Sequence, residues 1–485
     1  MSSEVVTRKV IPMQPVKSGG KDSSEFSLYE KTEKVYPRSV SGQFARLRWV
    51  MVWVTQIVFY GLPWLQWNDR QAVLFDLAER RFYVLGLVLH PQDFIYLAVL
   101  LITAALALFF FTAVAGRLWC GYACPQTVYT EIFLWVERRT EGDRQARMRL
   151  DVAPWSMQKL VRKGSKQLAW IAIALITGLT FVGYFSSIRG MLSELLNSTF
   201  TSWEWFWVLF YGLATYVNAG YMREQICKHM CPYARIQSAL IDMDSMVIAY
   251  DEQRGESRGS RARGADRASL GLGDCIDCTL CIQVCPTGID IRKGLQNECI
   301  ACAACIDVCD QVMQKMEYPK GLIRYTSGNG IAQQLTTGQI VRRINRPRVW
   351  IYCSLLLLVC SALVFSLSMR KSFSVDVIKD RGSLAREVGR GVIENVYRLQ
   401  IMNGLEQSQR YSVNVSGLPG LNVSSNAQLA VDPIGIASLT IRLTLPAEVA
   451  DLHRGKTLSF DFVVHTSVGE RAESRHEKST FYVLP

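Results

Sequence analysis

Three stretches of this chain, Phe94 to Val114, Leu168 to Ile188 and Val349 to Met369, each run for 21 residues without Asp, Glu, Lys or Arg. A helix needs about 20 apolar residues to cross the hydrocarbon core of a bilayer, so such stretches are read as transmembrane helices. Two shorter ones, Trp49 to Trp67 with 19 residues and Trp205 to Tyr221 with 17, bring the predicted count to five. Cationic residues in the flanks set the orientation. Residues 1–48 carry 9 Lys and Arg, 68–93 carry 3, 115–167 carry 10, 189–204 carry 1 and 222–348 carry 17. That alternation puts the N-terminus in the cytoplasm and residues 370–485 outside. The formal charge of +12 then belongs mainly to membrane-flanking loops and gives no reason to expect nucleic-acid binding.

Twelve of the fourteen cysteines fall in the two loops assigned to the cytoplasm. Thiols stay reduced there, so metal or redox chemistry is expected in place of disulfides. Eight of them form CIDCTLCIQVCP and CIACAACIDVCD, two C-x2-C-x2-C-x3-C runs. In such a pair, three closely spaced thiolates hold one 4Fe-4S cubane and the fourth cysteine of each run ligates the other. The predicted ligand sets are Cys275, Cys278, Cys281 and Cys309 for one cluster, and Cys299, Cys302, Cys305 and Cys285 for the second. Zinc modules space their pairs more widely and often use histidine, yet no histidine lies between His229 and His453. The second run ends in Asp310 where the first has Pro286, so the backbone around Cys309 is expected to differ.

The remaining cytoplasmic thiols come in two pairs. AGRLWCGYACP follows the second predicted span and AGYMREQICKHMCP the fourth, each ending in C-x3-C-P. The layout resembles a loose duplication. If helical, Cys120 and Cys124 share one face, as do Cys227 and Cys231. Soft thiolates select Cu(I), zinc or iron–sulfur clusters, so four thiolates on neighbouring helix ends form a candidate second metal site, with His229, Met230 and Met222 as further donors. The alternative is that these cysteines only fill space at a tight Cys-Pro turn. Cys353 and Cys360, within the fifth span, are read as packing residues, and His90 as an interfacial side chain.

The expected organisation is a disordered tail over 1–48, four helices with both C-x3-C-P motifs over 49–248, and a flexible Arg/Gly-rich linker over 249–273. A ferredoxin-like 2×(4Fe-4S) domain over 274–330 and the fifth helix over 349–369 follow. Residues 370–485 show short alternating runs such as ASLTIRLTL and LSFDFVVHT between turn residues, the pattern of an all-β immunoglobulin-like sandwich. That sandwich has no disulfide, because no cysteine follows Cys360. The polar N-terminal stretch is unlike a cleavable signal peptide. No C-x-x-C-H, P-loop or dinucleotide fingerprint occurs, so covalent haem, ATP and NAD are not expected.

Five spans, LWCGYACPQ, CKHMCPY, the RGESRG linker, the doubled cluster motif and the β domain together resemble the CcoG family, also called FixG or RdxA, over nearly the whole chain. The resemblance implies an inner-membrane iron–sulfur protein that reduces Cu(II) to Cu(I) during assembly of cbb3-type cytochrome oxidase in bacteria. It implies a copper-exporting P-type ATPase, a copper chaperone and oxidase subunits as partners, together with an unidentified cytoplasmic electron donor. It assigns the eight cysteines of the doubled motif to the clusters and Cys120, Cys124, Cys227 and Cys231 to copper. Two other readings stay open: a quinol dehydrogenase similar to NapH, and a non-enzymatic assembly scaffold.

Overall fold

The computed structural model describes residues 34–485 except 69, 264–269, 381–384, 390, 424–426 and 469–470. Among the described residues, three helices are long and apolar enough to cross a membrane: Phe94–Ala115, Met157–Val182 and Pro347–Ser368. Two more stand where shorter spans were expected, Gln43–Gly61 with 19 residues and Ser202–Val217 with 16. The latter is about 24 Å long at 1.5 Å per residue, short of a 30 Å hydrocarbon core. Gln43–Gly61 starts six residues before the expected span and ends two residues ahead of Pro63, in a 3-10 turn, Leu62–Trp64.

Met157–Val182 and Ser202–Val217 pack closely because small residues meet between them. A Cβ on Gly178 would lie 2.3 Å from the Val208 carbonyl oxygen and 2.9 Å from the Gly212 nitrogen, the device by which helices in apolar surroundings bring their backbones together. Below this contact, Phe133 stacks on Trp170 with ring centroids 5.0 Å apart.

The disordered tail is corrected where it can be tested. Residues 1–33 lie outside the described residues, but from Tyr36 onward the chain forms an ordered strap. The Arg38 N–H donates to the Gln283 carbonyl at 2.8 Å. The Tyr36 hydroxyl donates to Asp151 at 2.6 Å, and the Ser39 N–H to Asp143 at 3.0 Å. The strap leads into Gln43–Gly61, whose first-turn amides at Phe44 and Ala45 are capped by Asp307 at 3.2 and 2.7 Å. A carboxylate at a helix N-terminus satisfies orphan donors and opposes the helix dipole.

The flexible linker is corrected in the same way. Residues 264–269 fall outside the description, whereas Glu252–Gly255 forms a helical turn. Arg254 reaches Asp274 and the carbonyls of Pro319 and Lys320, and Arg261 donates to Tyr318 and to the Gly273 carbonyl. Arg254 and Arg261 are the clamps that dock this segment on the cysteine-rich domain. That domain is closed by two antiparallel strands, Val247–Tyr250 and Ile323–Thr326.

The loop between the first two helices contains a three-stranded meander of Val73–Asp76, Arg81–Val84 and Leu87–Leu89. The C-terminal region is a sandwich of two antiparallel sheets. One runs Asn422–Val423, Ile436–Leu445, Ile393–Asn403, Phe373–Lys379, with Arg386–Glu387 also paired to Ile393–Asn403. The other runs Gln428–Val431, Gln409–Ser416, Thr457–Val468, Arg471–Tyr482. Inward residues of both, including Tyr397, Leu399, Ile401, Leu443, Phe462 and Phe481, make one core. Arg70 of the meander-bearing loop pairs with Glu406 of the sandwich at 2.7 Å, and Arg370 pairs with Asp93 at 2.6 Å.

Candidate metal centre

The two cysteine runs fold alike. In each, the residues flanking the middle cysteine have left-handed backbone: Asp277 and Thr279 around Cys278, Ala301 and Ala303 around Cys302. A non-glycine residue there costs roughly 1–2 kcal/mol, and the repeated kink coils three sulfurs around one space. The first run's helix, Leu280–Gln283, ends two residues before its fourth cysteine, Cys285, which Pro286 follows, whereas the second run's fourth cysteine, Cys309, lies within a helix. Asp310 permits that helix, Ala304–Met316, to continue past Cys309, and its carboxylate accepts from the Gly321 N–H at 2.9 Å. That is the physical meaning of the Pro-to-Asp difference noted in the sequence.

Two small chambers each bring four of the predicted ligands together. The first is lined by Cys285, Cys299, Cys302 and Cys305, the second by Cys275, Cys278, Cys281 and Cys309; Cys281 also borders the first. Their other walls are mainly Ile, Val, Leu and Ala. Four thiols converging on each apolar chamber fit a 4Fe-4S cubane. Burial pushes the thiols of Cys299 and Cys309 up to about 12 and that of Cys281 up to about 11. Iron binding therefore has to displace protons from these sulfurs. Once held, such a group supplies one-electron transfer.

The paired-cysteine motifs do not form one helix face each. Cys120 lies in the short helix Leu118–Tyr122, and Cys124 is the extended N-cap residue of Pro125–Thr140. Cys227 lies in a wide turn, Ile226–Met230, and Cys231 is the N-cap of Pro232–Leu240. Proline at the first helical position needs no amide partner and has the right φ for starting a helix, so Cys-Pro puts a thiol at a fresh helix N-terminus. Burial pushes the Cys124 thiol up, while the N–H groups of Gln126 and Thr127 pull it the other way. Burial also pushes Cys120 up to about 12 and Cys227 up to about 11.

The two motifs are cross-braced. Cys120 Sγ donates at 3.3 Å to Gln237, a fully buried residue on the helix begun by the second motif. Gln126, just after the first motif, donates to the carbonyls of Asn218 and Arg223 ahead of the second, at 2.9 and 3.1 Å. All four thiols lie within electrostatic range of one another. Among the described residues, however, no three Cys, His, Asp or Glu side chains stand close enough to hold a single ion directly. His229 and Met230 are exposed, Met222 is half-buried, and Cys353 and Cys360 lie half-buried on the helix Pro347–Ser368.

Both motifs abut the cysteine-rich domain. Gly121 lies so close to it that a Cβ there would stand 2.8 Å from the carbonyl oxygens of Ile300 and Ala301. Arg117 donates to the Asn297 carbonyl, to that of Cys299 at 3.3 Å and to that of Ala234 at 2.7 Å. Arg48 donates to the Cys302 carbonyl. A solvent-open cleft is lined by both Cys227 and Cys302, with Arg48, Gln126, Glu131 and Glu224 among its other walls. Sequence reasoning missed Arg48 and Arg117. The only available signal was their place next to an apolar run and the Cys-x3-Cys motif, where cations are ordinary flank residues.

Comparison with known proteins follows this geometry. A family model described as a 4Fe-4S dicluster domain matches residues 222–328, one described as a 4Fe-4S binding domain matches 97–141, and one described as the IG-like fold at the C-terminal of FixG matches 363–483. The nitrogen fixation protein FixG of Rhizobium meliloti is 38% identical over 459 residues, covering 86% of this chain and 88% of FixG. The chain belongs to the FixG/RdxA family. Protein RdxA of Cereibacter sphaeroides is 40% identical over 430 residues, 87% of this chain and 90% of RdxA. Among solved structures, a FixG-related protein from Vibrio parahaemolyticus is similar at 21% identity, covering 23% of this chain and 97% of that one, with a TM-score of 0.19. Like its FixG/RdxA relatives in sequence, the chain is an iron–sulfur electron-transfer protein.

Proposed function

We propose that the chain is a membrane metalloreductase that converts Cu(II) to Cu(I), serving the supply of copper to a cbb3-type oxidase. The observation that carries this reading is the cleft shared by Cys227 and Cys302, which brings a paired-motif thiol and a cluster thiol to one space. Copper changes its preference from nitrogen and oxygen donors to sulfur as it is reduced. Thiolates beside a one-electron carrier therefore favour the product while the carrier supplies the electron. One electron leaves the reduced cluster and enters Cu(II); no proton or further reactant is needed for that step.

In this reading five helices cross the bacterial inner membrane, with the cysteine-rich domain on the cytoplasmic side and the sandwich in the periplasm, as the Lys/Arg distribution indicates. In this reading Cys120, Cys124, Cys227 and Cys231 close on the ion as it binds, with His229 on the same turn as Cys227. A copper exporter and chaperone carry the product onward, and a cytoplasmic donor refills the clusters. Anaerobic EPR of the reduced full chain titrated with Cu(II) tests it. Each added equivalent is expected to oxidise one cluster equivalent and to leave no Cu(II) signal. A persistent Cu(II) signal beside reduced clusters refutes the reading. Iron content is measured alongside, because the family description over 97–141 names a cluster: eight irons per chain leave the four thiols free for copper, and twelve give them to a third cubane.

A second reading, oxidation of a membrane quinol, is favoured by one observation. A cavity of about 950 Å³ lies between the helices Gln43–Gly61, Pro125–Thr140, Met157–Val182 and Ser202–Val217, lined by Gln56, Gln126, Tyr129 and Thr177 among others. Gln56 Oε1 is buried there without a hydrogen-bond partner. A quinol entering it gives one electron to each of two clusters and releases two protons. Under this reading Gln56→Leu lowers the rate of cluster reduction by a soluble quinol roughly three- to tenfold, the worth of one hydrogen bond. Equal rates for both proteins in anaerobic stopped flow dismiss it.

A further inference from the structure

Two buried arginines beside the cysteine-rich domain have no acidic partner. Arg48 is 8% exposed and Arg117 7%. Neither makes a salt bridge among the described residues, and their hydrogen bonds go to carbonyl groups at Cys302, Asn297, Cys299 and Ala234. The acids whose charge reaches Arg48, Glu131 and Asp307, hold their closest contacts with other groups. Glu131 pairs with Arg138 at 3.3 Å, and Asp307 caps the amides of Phe44 and Ala45. An unpaired buried cation is strongly unfavourable. Both guanidinium groups sit against the loop Cys299–Cys305, whose thiolates, once they hold a cluster, carry net negative charge.

The other chamber is built differently. Arg292 lines it, 9% exposed, but is fully engaged by carboxylates, with Asp290 at 2.8 Å and Asp277 in contact. Asp310 follows Cys309 directly and adds negative charge nearby. One chamber thus has two guanidinium groups that make no ion pair among the described residues, with Glu131 and Asp307 acting on Arg48 only at longer range, while the other chamber's arginine is ion-paired. Cluster potentials respond to local charge and to hydrogen bonding, and reduction adds an electron, so nearby positive charge raises the potential.

We propose that Arg48 and Arg117 are positioning residues that act as counter-charges for the cluster held by Cys285, Cys299, Cys302 and Cys305. They set it at the higher potential of the two and so direct electrons toward the paired-cysteine turns. With clusters held by Cys275, Cys278, Cys281 and Cys309 and by Cys285, Cys299, Cys302 and Cys305, a single electron would pass from the first, reduced, to the second, oxidised, with no bond made and no proton moved. Gly121 and Cys227 lie on the receiving side, next to Ile300, Ala301 and Cys302. The inference rests on the two-cluster assignment but not on copper as the substrate.

An EPR-monitored redox titration of the full chain in detergent, without copper, tests it. Two waves are expected. Cys278→Ser, at the exposed cysteine of the Arg292 chamber, alters the signal of the lower wave and thereby assigns both. Arg48→Gln and Arg117→Gln, which keep hydrogen-bonding capacity and remove charge, move the higher wave downward and leave the lower in place. Arg48→Lys and Arg117→Lys keep the charge and restore most of the shift, which a purely structural role does not predict. The proposal is overturned if the Cys278-sensitive wave is the higher one, if both waves move together, or if the Gln variants leave the potentials unchanged. Should Arg48→Gln lose its clusters, the wild-type order of the waves and the Arg117 variants decide the matter. Waves in the proposed order without Cu(II) reduction would sink the metalloreductase reading and leave this one standing.

Discussion

Serine at Cys120, Cys124, Cys227 and Cys231 together is expected to remove copper binding while leaving eight irons in place. The sulfurs are the soft donors that Cu(I) selects, and losing them costs about 4 kcal/mol or more, roughly a thousandfold in affinity. The cluster chambers have their own eight cysteines and share no ligand with the paired motifs, so the iron–sulfur signals persist. Competition with a Cu(I) chelator measures the loss, and an unchanged copper stoichiometry removes the thiol site from the account. The pH dependence has a definite sign. Cys120, Cys124 and Cys227 are pushed above the ordinary thiol range by burial, so metal binding displaces protons. Copper affinity of the unaltered chain therefore rises with pH across the neutral range, and the four-serine variant loses that slope.

Glu137→Leu is expected to be the most damaging single change to stability. The carboxylate is 3% exposed and lies 2.6 Å from both Arg147 and Arg223. Removing it leaves two buried cations unpaired, which costs about 3–5 kcal/mol. The damage reaches the site because Arg223 belongs to the segment before Cys227, and Arg147 also holds the Pro37 carbonyl of the N-terminal strap. Burial opposes ionisation of Glu137, but the two arginines win and hold its carboxyl below the usual range. A depressed carboxylate contributes stability that is present above its unfolded value near pH 4.3 and is lost as pH falls through the folded one. Thermal melts of detergent-solubilised protein should show the variant unfolding at much lower temperature at pH 7, with the difference shrinking in acid. Replacing Glu137, Arg147 and Arg223 together by Leu or Met should restore much of the loss, because no orphaned charge then remains.

Ligand spacing was the most legible part of the chain. The three close cysteines of each C-x2-C-x2-C-x3-C run share one chamber because only a few residues separate their sulfurs and the local backbone decides where they point, while the fourth comes from the distant other run. The alternation of the C-terminal strands was equally plain, since period two survives any tertiary detail. What failed was anything decided by partners far away in sequence. Residues 36–48 read as tail because Asp307, Gln283 and Asp151 are invisible from there. The arginines of 252–263 read as solvated because their carbonyl and carboxylate partners come later in the chain. Cys120 and Cys124 were placed on one helix face by counting four, yet Pro125 starts a new helix and puts Cys124 at its cap. Arg48 and Arg117 carried no signal of their own, because a cation beside an apolar run is what a membrane flank normally has.

The cap that Asp307 provides to the first helix has a consequence for biogenesis. Ala45 leaves the ribosome 262 residues before the carboxylate that completes its helix end, and that carboxylate stands between two cluster cysteines, Cys305 and Cys309. The opening helix therefore acquires its final N-terminal bonds only after the cysteine-rich domain has been made and folded. The first helix to be made is thus among the last to be completed, and its N-terminal end is tied to the segment that carries the cluster cysteines.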